Sequence, residues 1–277
     1  MNEHLAIAVA DAMREAAECA ILPRYSPGTG IHADYKAVGE AVTAADHECE
    51  AILMERLIGL IPGAGVVGEE AAAHDPAMLD QIGQGTCWII DPLDGTGNFA
   101  RGAPPFGILV ALADQGVPVA GWILDPLSGR LCHARWGGGA WIDGERFVTP
   151  ALPAEAKPQV AVTRLFADAQ RREHVMDILA QAYTVLDSPR CAADQYPRVA
   201  TGGCDATVFT RTISWDHAAG VVFIEEAGGV ARRQDGRAYR CDEVDAGLVI
   251  ASGPERWEHI VRLLDEGHVS LVGAHLA

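Results

Sequence analysis

Basic residues are scarce in this 277-residue chain. The 21 Lys and Arg stand against 38 Asp and Glu, a formal net charge of −17. A surface this acidic repels nucleic acid and anionic lipid, so neither is expected as a partner. No apolar stretch is long enough to span a bilayer. The opening Met1-Asn2-Glu3-His4 lacks the basic start and apolar run of a signal peptide, so a cytoplasmic chain is expected. Cysteine is thin and unpatterned. There are seven, an odd number, with no CxxC pair, which argues against a disulfide framework or a thiolate zinc site. The ten histidines form no HExxH motif. What is present is ordinary for a globular protein: 49% apolar and 21% charged residues, enough chain for one large domain or two small ones.

The apolar spacing of Leu5, Ala8, Val9, Ala12, Met13, Ala16, Ala17 and Ala20 predicts an amphipathic helix ended by Pro23. A second helix is predicted from Thr43, with Asp46 completing a capping box, a buried stripe of Cys49, Ile52, Leu53, Leu57 and Leu60, and a stop at Pro62-Gly63. Val66-Val67 reads as a short strand leading into Glu69-Glu70, and 76–82 as a weak helix. Cys87–Ile90 reads as a fully apolar strand. A hairpin over 106–124 and short strands at 131–134, 140–142 and 146–148 follow. The Ala- and Pro-rich stretch 150–158 marks a boundary between an N-terminal α+β half, 1–150, and a C-terminal half, 151–277, in which strands and helices alternate as in an α/β fold. In that second half a helix is expected to begin at His217.

The most informative segment is Asp91-Pro92-Leu93-Asp94-Gly95-Thr96-Gly97-Asn98-Phe99. Asp91 ends a buried strand and Asp94 lies in the turn after it. Pro92 stiffens the backbone between them, so two carboxylates and the Leu93 carbonyl can meet a hard divalent cation. Gly95 and Thr96 open a helix whose free N–H groups favour phosphate. By itself this segment is equally a tight Asp-Gly turn with Asp94 as a helix cap. Taken singly, Glu69-Glu70 reads as a solvated pair and Asp216 as an N-cap, and Asp46 is just as ambiguous. Cys87 reads as core rather than as a nucleophile.

Together these segments resemble the inositol monophosphatase family, within the superfamily of Mg²⁺-dependent, lithium-sensitive sugar phosphatases. Four signatures occur in family order: Val42-Thr43-Ala44-Ala45-Asp46, Gly68-Glu69-Glu70, Trp88 to Phe99, and Trp215-Asp216-His217-Ala218-Ala219-Gly220. Glu225 to Gly229 supports them. The resemblance spans the chain from the first helix to about Ser252. It implies a layered αβαβα sandwich and a phosphomonoesterase using two Mg²⁺ ions, with a third loosely held. It implies that Glu69, Asp91 and the Leu93 carbonyl hold the first ion, that Asp91, Asp94 and Asp216 hold the second, and that Glu69 borders the third. It further implies that Asp46 and Thr96 orient the attacking water, that Gly95 and Thr96 cradle phosphate, and that the protein is a homodimer. Lys36 aligns with a family Lys near the third ion. His217 follows a metal ligand, but its reading as an ordinary first-turn helix residue is preferred.

The substrate pattern departs from the family's. Phe209 stands where inositol-acting relatives carry a Glu for ring hydroxyls, and Phe accepts no hydrogen bond. Arg190-Cys191-Ala192-Ala193 replaces a small-residue Gly-Thr/Ser-Ala-Ala pattern. Arg190 and Arg211 are candidates to bind a second phosphate or a carboxylate, or are surface ion-pair residues. A small phosphate ester is expected as substrate. Inositol or sugar phosphate, histidinol phosphate, fructose 1,6-bisphosphate and 3′-phosphoadenosine 5′-phosphate all remain open. A non-catalytic protein that kept the fold is the contrasting reading, but loss of a carboxylate would be its sign and all four are present. The acidic surface argues against a nuclease.

Overall fold

The computed structural model describes residues 3–30, 34–37, 40–150, 157–163, 169–243 and 246–272. Helix α1 (Glu3–Ala16) runs on through a π turn at Ala17–Ile21 into a 3-10 turn at Leu22–Arg24, where Pro23 lacks the N–H to continue it. Strands β1 (Asp34–Ala37) and β2 (Glu40–Val42) form a small antiparallel ribbon that the sequence pattern did not announce. Helix α2 (Ala44–Ile58) begins at the expected capping box. Thr43 Oγ1 accepts the Ala45 N–H, and Asp46 accepts the Thr43 N–H at 2.8 Å. The helix stops at Gly59, earlier than Pro62-Gly63, because glycine is a poor helix residue and the Leu60 N–H turns back to the Leu57 carbonyl.

A seven-stranded sheet follows in chain order. It comprises β3 (Gly65–Gly68), β4 (Thr86–Asp94), β5 (Gly107–Asp114), β6 (Val117–Leu124), β7 (Leu131–Arg135), β8 (Gly139–Ile142) and β9 (Glu145–Phe147). Only β3 and β4 are parallel. The link between them holds helix α3 (Glu69–His74) and a 3-10 turn over Pro76–Gln81, which replaces the weak helix expected there. The short helix α4 (Thr96–Ala100) lies between β4 and β5.

The second sheet has five strands in the order β11-β10-β12-β14-β13. Strands β10 (Gln159–Val162), β11 (Thr184–Asp187) and β12 (Ala206–Phe209) alternate with helices α5 (Ala169–Ala180) and α6 (Ala192–Ala200), as the α/β pattern predicts. After helix α7 (Ser214–Glu226) the alternation breaks. Strand β13 (Val230–Arg232), which was not foreseen, and β14 (Leu248–Ala251) are joined by an irregular loop and pair antiparallel. Helix α8 (Pro254–Glu266) closes the described fold. Helix α7 starts three residues before His217, so Asp216 sits in its first turn and Ile213 takes the N-cap place, without a side-chain cap.

Strand alternation sorts the side chains into layers. Trp88, Ile90, Ile108, Val110 and Trp122 face α1 and α2, whereas Ile89, Leu109, Ala111 and Ile123 face α6 and α7 on the other side. On the smaller sheet, Ala161, Leu248 and Ile250 turn towards α6 and α7, and Val160, Val208 and Val249 turn towards α5 and α8. The result is the αβαβα sandwich. Helix α7 lies between two sheets, which explains why Ala218 to Ile224 are buried on every side of it.

The α6–α7 contact depends on Gly220. A Cβ there would fall inside the ring of Tyr196, which is fully buried and bonded through its hydroxyl to His217. The ring has nowhere to retreat. Gly220→Ala is therefore expected to lower stability by about 1–3 kcal/mol, the usual range for an overpacked core. An unchanged urea midpoint would show that the two helices can part without penalty.

Candidate active site

Strand β4, beside the edge strand β3 of the large sheet, delivers its acids where α7 and α6 also begin. Asp91 is 1% exposed and accepts the Leu93 N–H at 3.1 Å. Asp94 accepts the Ala193 N–H at 2.6 Å and so caps α6 from another layer. Gly95 follows with a φ of 82°, a left-handed turn that lets the chain enter α4 at once. Asp216 comes from the first turn of α7, and Glu69 is the first residue of α3. Glu69, Asp91, Leu93, Asp94, Gly95, Thr96 and Asp216 all line one cavity of about 190 Å³. Arg190, Cys191, Ala192, Phe209 and Arg211 line it as well.

Burial makes these acids reluctant to ionise, and their mutual repulsion adds to it. Burial pushes Asp91 well above the usual carboxylate range, followed by the charges of Glu69, Asp94, Asp216 and Asp46. Asp216 is raised in the same way by burial and by Asp94 and Glu69, while Arg211 and a hydrogen bond with Asp91 pull it back. Asp94 is raised by burial to about 6, against the Ala193 N–H that favours its ionised form. Among the described residues no three side chains form a ready-made coordination shell. The donor chemistry nonetheless fits a hard divalent cation: the acids present only oxygen, and their shared repulsion is what positive charge removes.

Asp46 is not on the cavity wall. It lies behind it, 2% exposed, and meets the cavity through Thr96, whose Oγ1 is 3.0 Å from Asp46 Oδ1 and 2.8 Å from the Leu93 carbonyl. Thr43 supplies two more bonds, from its N–H and from its hydroxyl at 2.6 Å. Burial outweighs these and lifts Asp46 to about 6. The two glutamates of the Glu69-Glu70 pair part company. Glu69 faces the cavity, whereas Glu70 is buried with His47 Nδ1 at 3.9 Å.

His217 lines the cavity, yet it is almost wholly buried. It is 2% exposed, Tyr196 Oη lies 2.8 Å from its Nδ1, and the Phe209 ring meets it edge-on at 4.6 Å. Burial lowers its pKa to about 3, so it is neutral near pH 7. Cys87 is buried and its thiol is pushed up to about 11 by that burial, consistent with a core residue. Cys191 is the N-cap residue of α6, with its thiol raised well above the usual range by burial and by Asp94. Lys36 falls in β1, and its side chain lies outside the described residues.

Three residues escaped the sequence reading. Glu50, 4% exposed, accepts the N–H groups of Glu70 and Ala71, both at 2.8 Å, and so fixes the turn that presents Glu69. Gly68 is needed there, since a Cβ would overlap the Glu50 carboxylate. The available signal was an acid one helical turn after Asp46, on the buried face of α2 with Cys49 and Leu53. Asn98 and Arg101 also line the cavity, and nothing in their local spacing marked them.

Comparisons with known proteins bear on this arrangement. A family model described as the inositol monophosphatase family matches residues 1–268. The chain is 34% identical over 225 residues to an inositol-1-monophosphatase of Mycobacterium leprae, covering 78% of this chain and 75% of that protein. It is 31% identical over 213 residues to a histidinol-phosphatase of Chlorobaculum parvum, covering 76% and 78%. Among solved structures, the extragenic suppressor protein suhB of Bartonella henselae superposes with a TM-score of 0.82 at 23% identity, over 96% of this chain and 100% of that one, a likeness of fold.

The acids give a test that needs no turnover. Asp46 and Asp94 titrate near 6 when folded and near the ordinary 3.8 when unfolded. The folded chain thus binds more protons between about pH 4 and 6, and their contribution to stability is lost as pH rises through that window. Buried, neutral His217 shifts stability the opposite way over the same range, so the readout is the cation: Mg²⁺ is expected to raise the melting temperature of chelator-treated protein more at about pH 7.5 than at about pH 5.5. Indifference to Mg²⁺ at the higher pH would count against a cation among these acids.

Proposed function

The chain belongs to the inositol monophosphatase family and is a phosphoric monoester hydrolase, and on that footing we propose that it removes phosphate from a small organic ester by Mg²⁺-assisted attack of water. The observation that carries this reading is the meeting of Glu69, Asp91, Asp94 and Asp216 at one cavity, beside a Thr96 hydroxyl backed by buried Asp46. No activated side-chain nucleophile is required.

In this reading Glu69, Asp91 and the Leu93 carbonyl hold one Mg²⁺, Asp91, Asp94 and Asp216 hold a second, and Glu69 borders a third. When bound, such cations offset the charge of the phosphate and make water more acidic. The remaining work falls to the chain itself. Thr96 Oγ1 orients the water. It takes a proton from it while passing its own to Asp46 Oδ1, 3.0 Å away. A carboxyl lifted to about 6 is ionised at neutral pH, yet basic enough to receive that proton. Thr43 holds Asp46 by two bonds, so the acceptor oxygen stays aimed at Thr96. The N–H groups following Gly95 receive the phosphate oxygens. Glu50 is a positioning residue that keeps Glu69 in place.

Phosphate release is expected to require Mg²⁺ and to be abolished in Asp91→Asn and Asp216→Asn. Thr96→Ala is expected to lower kcat by about 10²-fold or more, with KM little changed, as for loss of a proton-relay group. Unimpaired kcat in Thr96→Ala would remove the Thr96–Asp46 route.

A further inference from the structure

Two arginines at the cavity are conspicuous in a chain with a net charge of −17. Most arginines of the described residues lean on a carboxylate, as Arg56 does on Glu15 and Arg198 on Asp194. Arg190 and Arg101 do not. Among the described residues the Arg190 guanidinium has no hydrogen bond or ion pair, and the only bond of the Arg101 guanidinium is to Asn98 Oδ1 at 2.6 Å. Both side chains are exposed and both line the cavity.

The backbone at Arg190 is also unusual. Its φ is 60°, a left-handed conformation that costs free energy in any residue with a Cβ. A glycine would hold that turn without the cost, and Ser188 Oγ already steadies it by accepting the Arg190 N–H at 3.2 Å. The strain is borne by the residue that brings a cation to the rim.

Asn98 joins the two arginines. It is 7% exposed, and its Nδ2 donates to the Pro105 carbonyl at 2.7 Å and to the Pro189 carbonyl at 3.1 Å. Its Oδ1 takes the Arg101 bond. One buried amide therefore fixes both the Arg101 guanidinium and the backbone just before Arg190. Phe209 also lines the cavity, and its ring accepts no hydrogen bond from a sugar hydroxyl. It is held by stacking on Tyr196, with ring centroids 6.1 Å apart. Recognition by charge is what this rim is built for.

Resting on the phosphatase reading, we propose that the natural substrate carries a second acidic group, a phosphate or a carboxylate, which Arg190 and Arg101 bind while the scissile phosphate lies over the acids. Guanidinium groups match either oxyanion by paired N–H bonds. An ester whose second group is a cation is repelled at the same rim.

The test uses matched esters with the full-length protein and Mg²⁺. Fructose 1-phosphate against fructose 1,6-bisphosphate tests a second phosphate, and glycerol 2-phosphate against 2-phosphoglycerate tests a carboxylate. In at least one pair the doubly acidic ester is expected to have the higher kcat/KM by about ten-fold or more, through KM, with the preference shrinking in high salt. Arg190→Ala and Arg101→Ala are expected to bring that ratio towards one, and Arg190→Lys to keep part of it. Arg190→Gly, which relieves the left-handed turn, is expected to lose the preference while melting no lower than wild type. Equal kcat/KM within both pairs, or a ratio untouched in both alanine variants, overturns the second-anion site and leaves the phosphatase reading standing. No phosphate from any of these esters or from p-nitrophenyl phosphate overturns both.

Discussion

Carboxylates buried within reach of one another repel, and each also loses the hydration that stabilises its charge. Asp91, Asp94 and Asp216 are held in that condition, with Glu69 beside them. Such a group persists only where the surrounding fold is strong enough to impose it. Here the imposition is distributed. Asp91 sits near the end of β4, a strand paired on both sides in the seven-stranded sheet and covered by layers on both faces. Asp216 is anchored by a helix enclosed between two sheets, and Glu69 by a turn that Glu50 ties to α2.

The layered design explains why these parts can meet. Strand β4 must run from the edge of one apolar face to the point where α6 and α7 start, and it does so with Trp88 and Ile90 facing one helix layer and Cys87 and Ile89 the other. The middle helices need small residues where they touch, and Gly220 supplies one beneath Tyr196. Tyr196 in turn bonds His217, which burial keeps neutral, and His217 and the Phe209 ring it meets edge-on both line the cavity on that side.

Much of this was legible in the sequence because it is local. The Thr43–Asp46 capping box, the apolar run ahead of Asp91 and the Asp-Gly turn into α4 each follow from residues within one turn of each other, and each occurs as read. Errors came where tertiary contacts decide. Helix α7 begins before the position its sequence pattern marks, because Ser214 and Trp215 look like strand or loop until the layer above them is present. Strand β13 has three residues and no pattern of its own; its pairing with β14 makes it a strand. Glu50 and Asn98 act on backbone groups 20 and 91 residues away, at Glu70 and Pro189, which no spacing rule encodes. Arg190 stands out in the sequence, but its left-handed backbone, and a guanidinium without a partner among the described residues, are visible only in three dimensions.

Asp94 holds two offices. Its carboxylate belongs to the cluster of acids, yet it also draws the N-terminus of α6 to itself through the Ala193 N–H. From there a mechanical circuit closes. Helix α6 carries Tyr196, Tyr196 packs over Gly220 of α7, α7 carries Asp216, and Asp216 meets the charge of Asp94 again at the shared cavity. A change of charge at any station is felt at the others, because each link is short and buried. Occupancy of the acids and rigidity of the middle layer are consequently two readings of a single equilibrium.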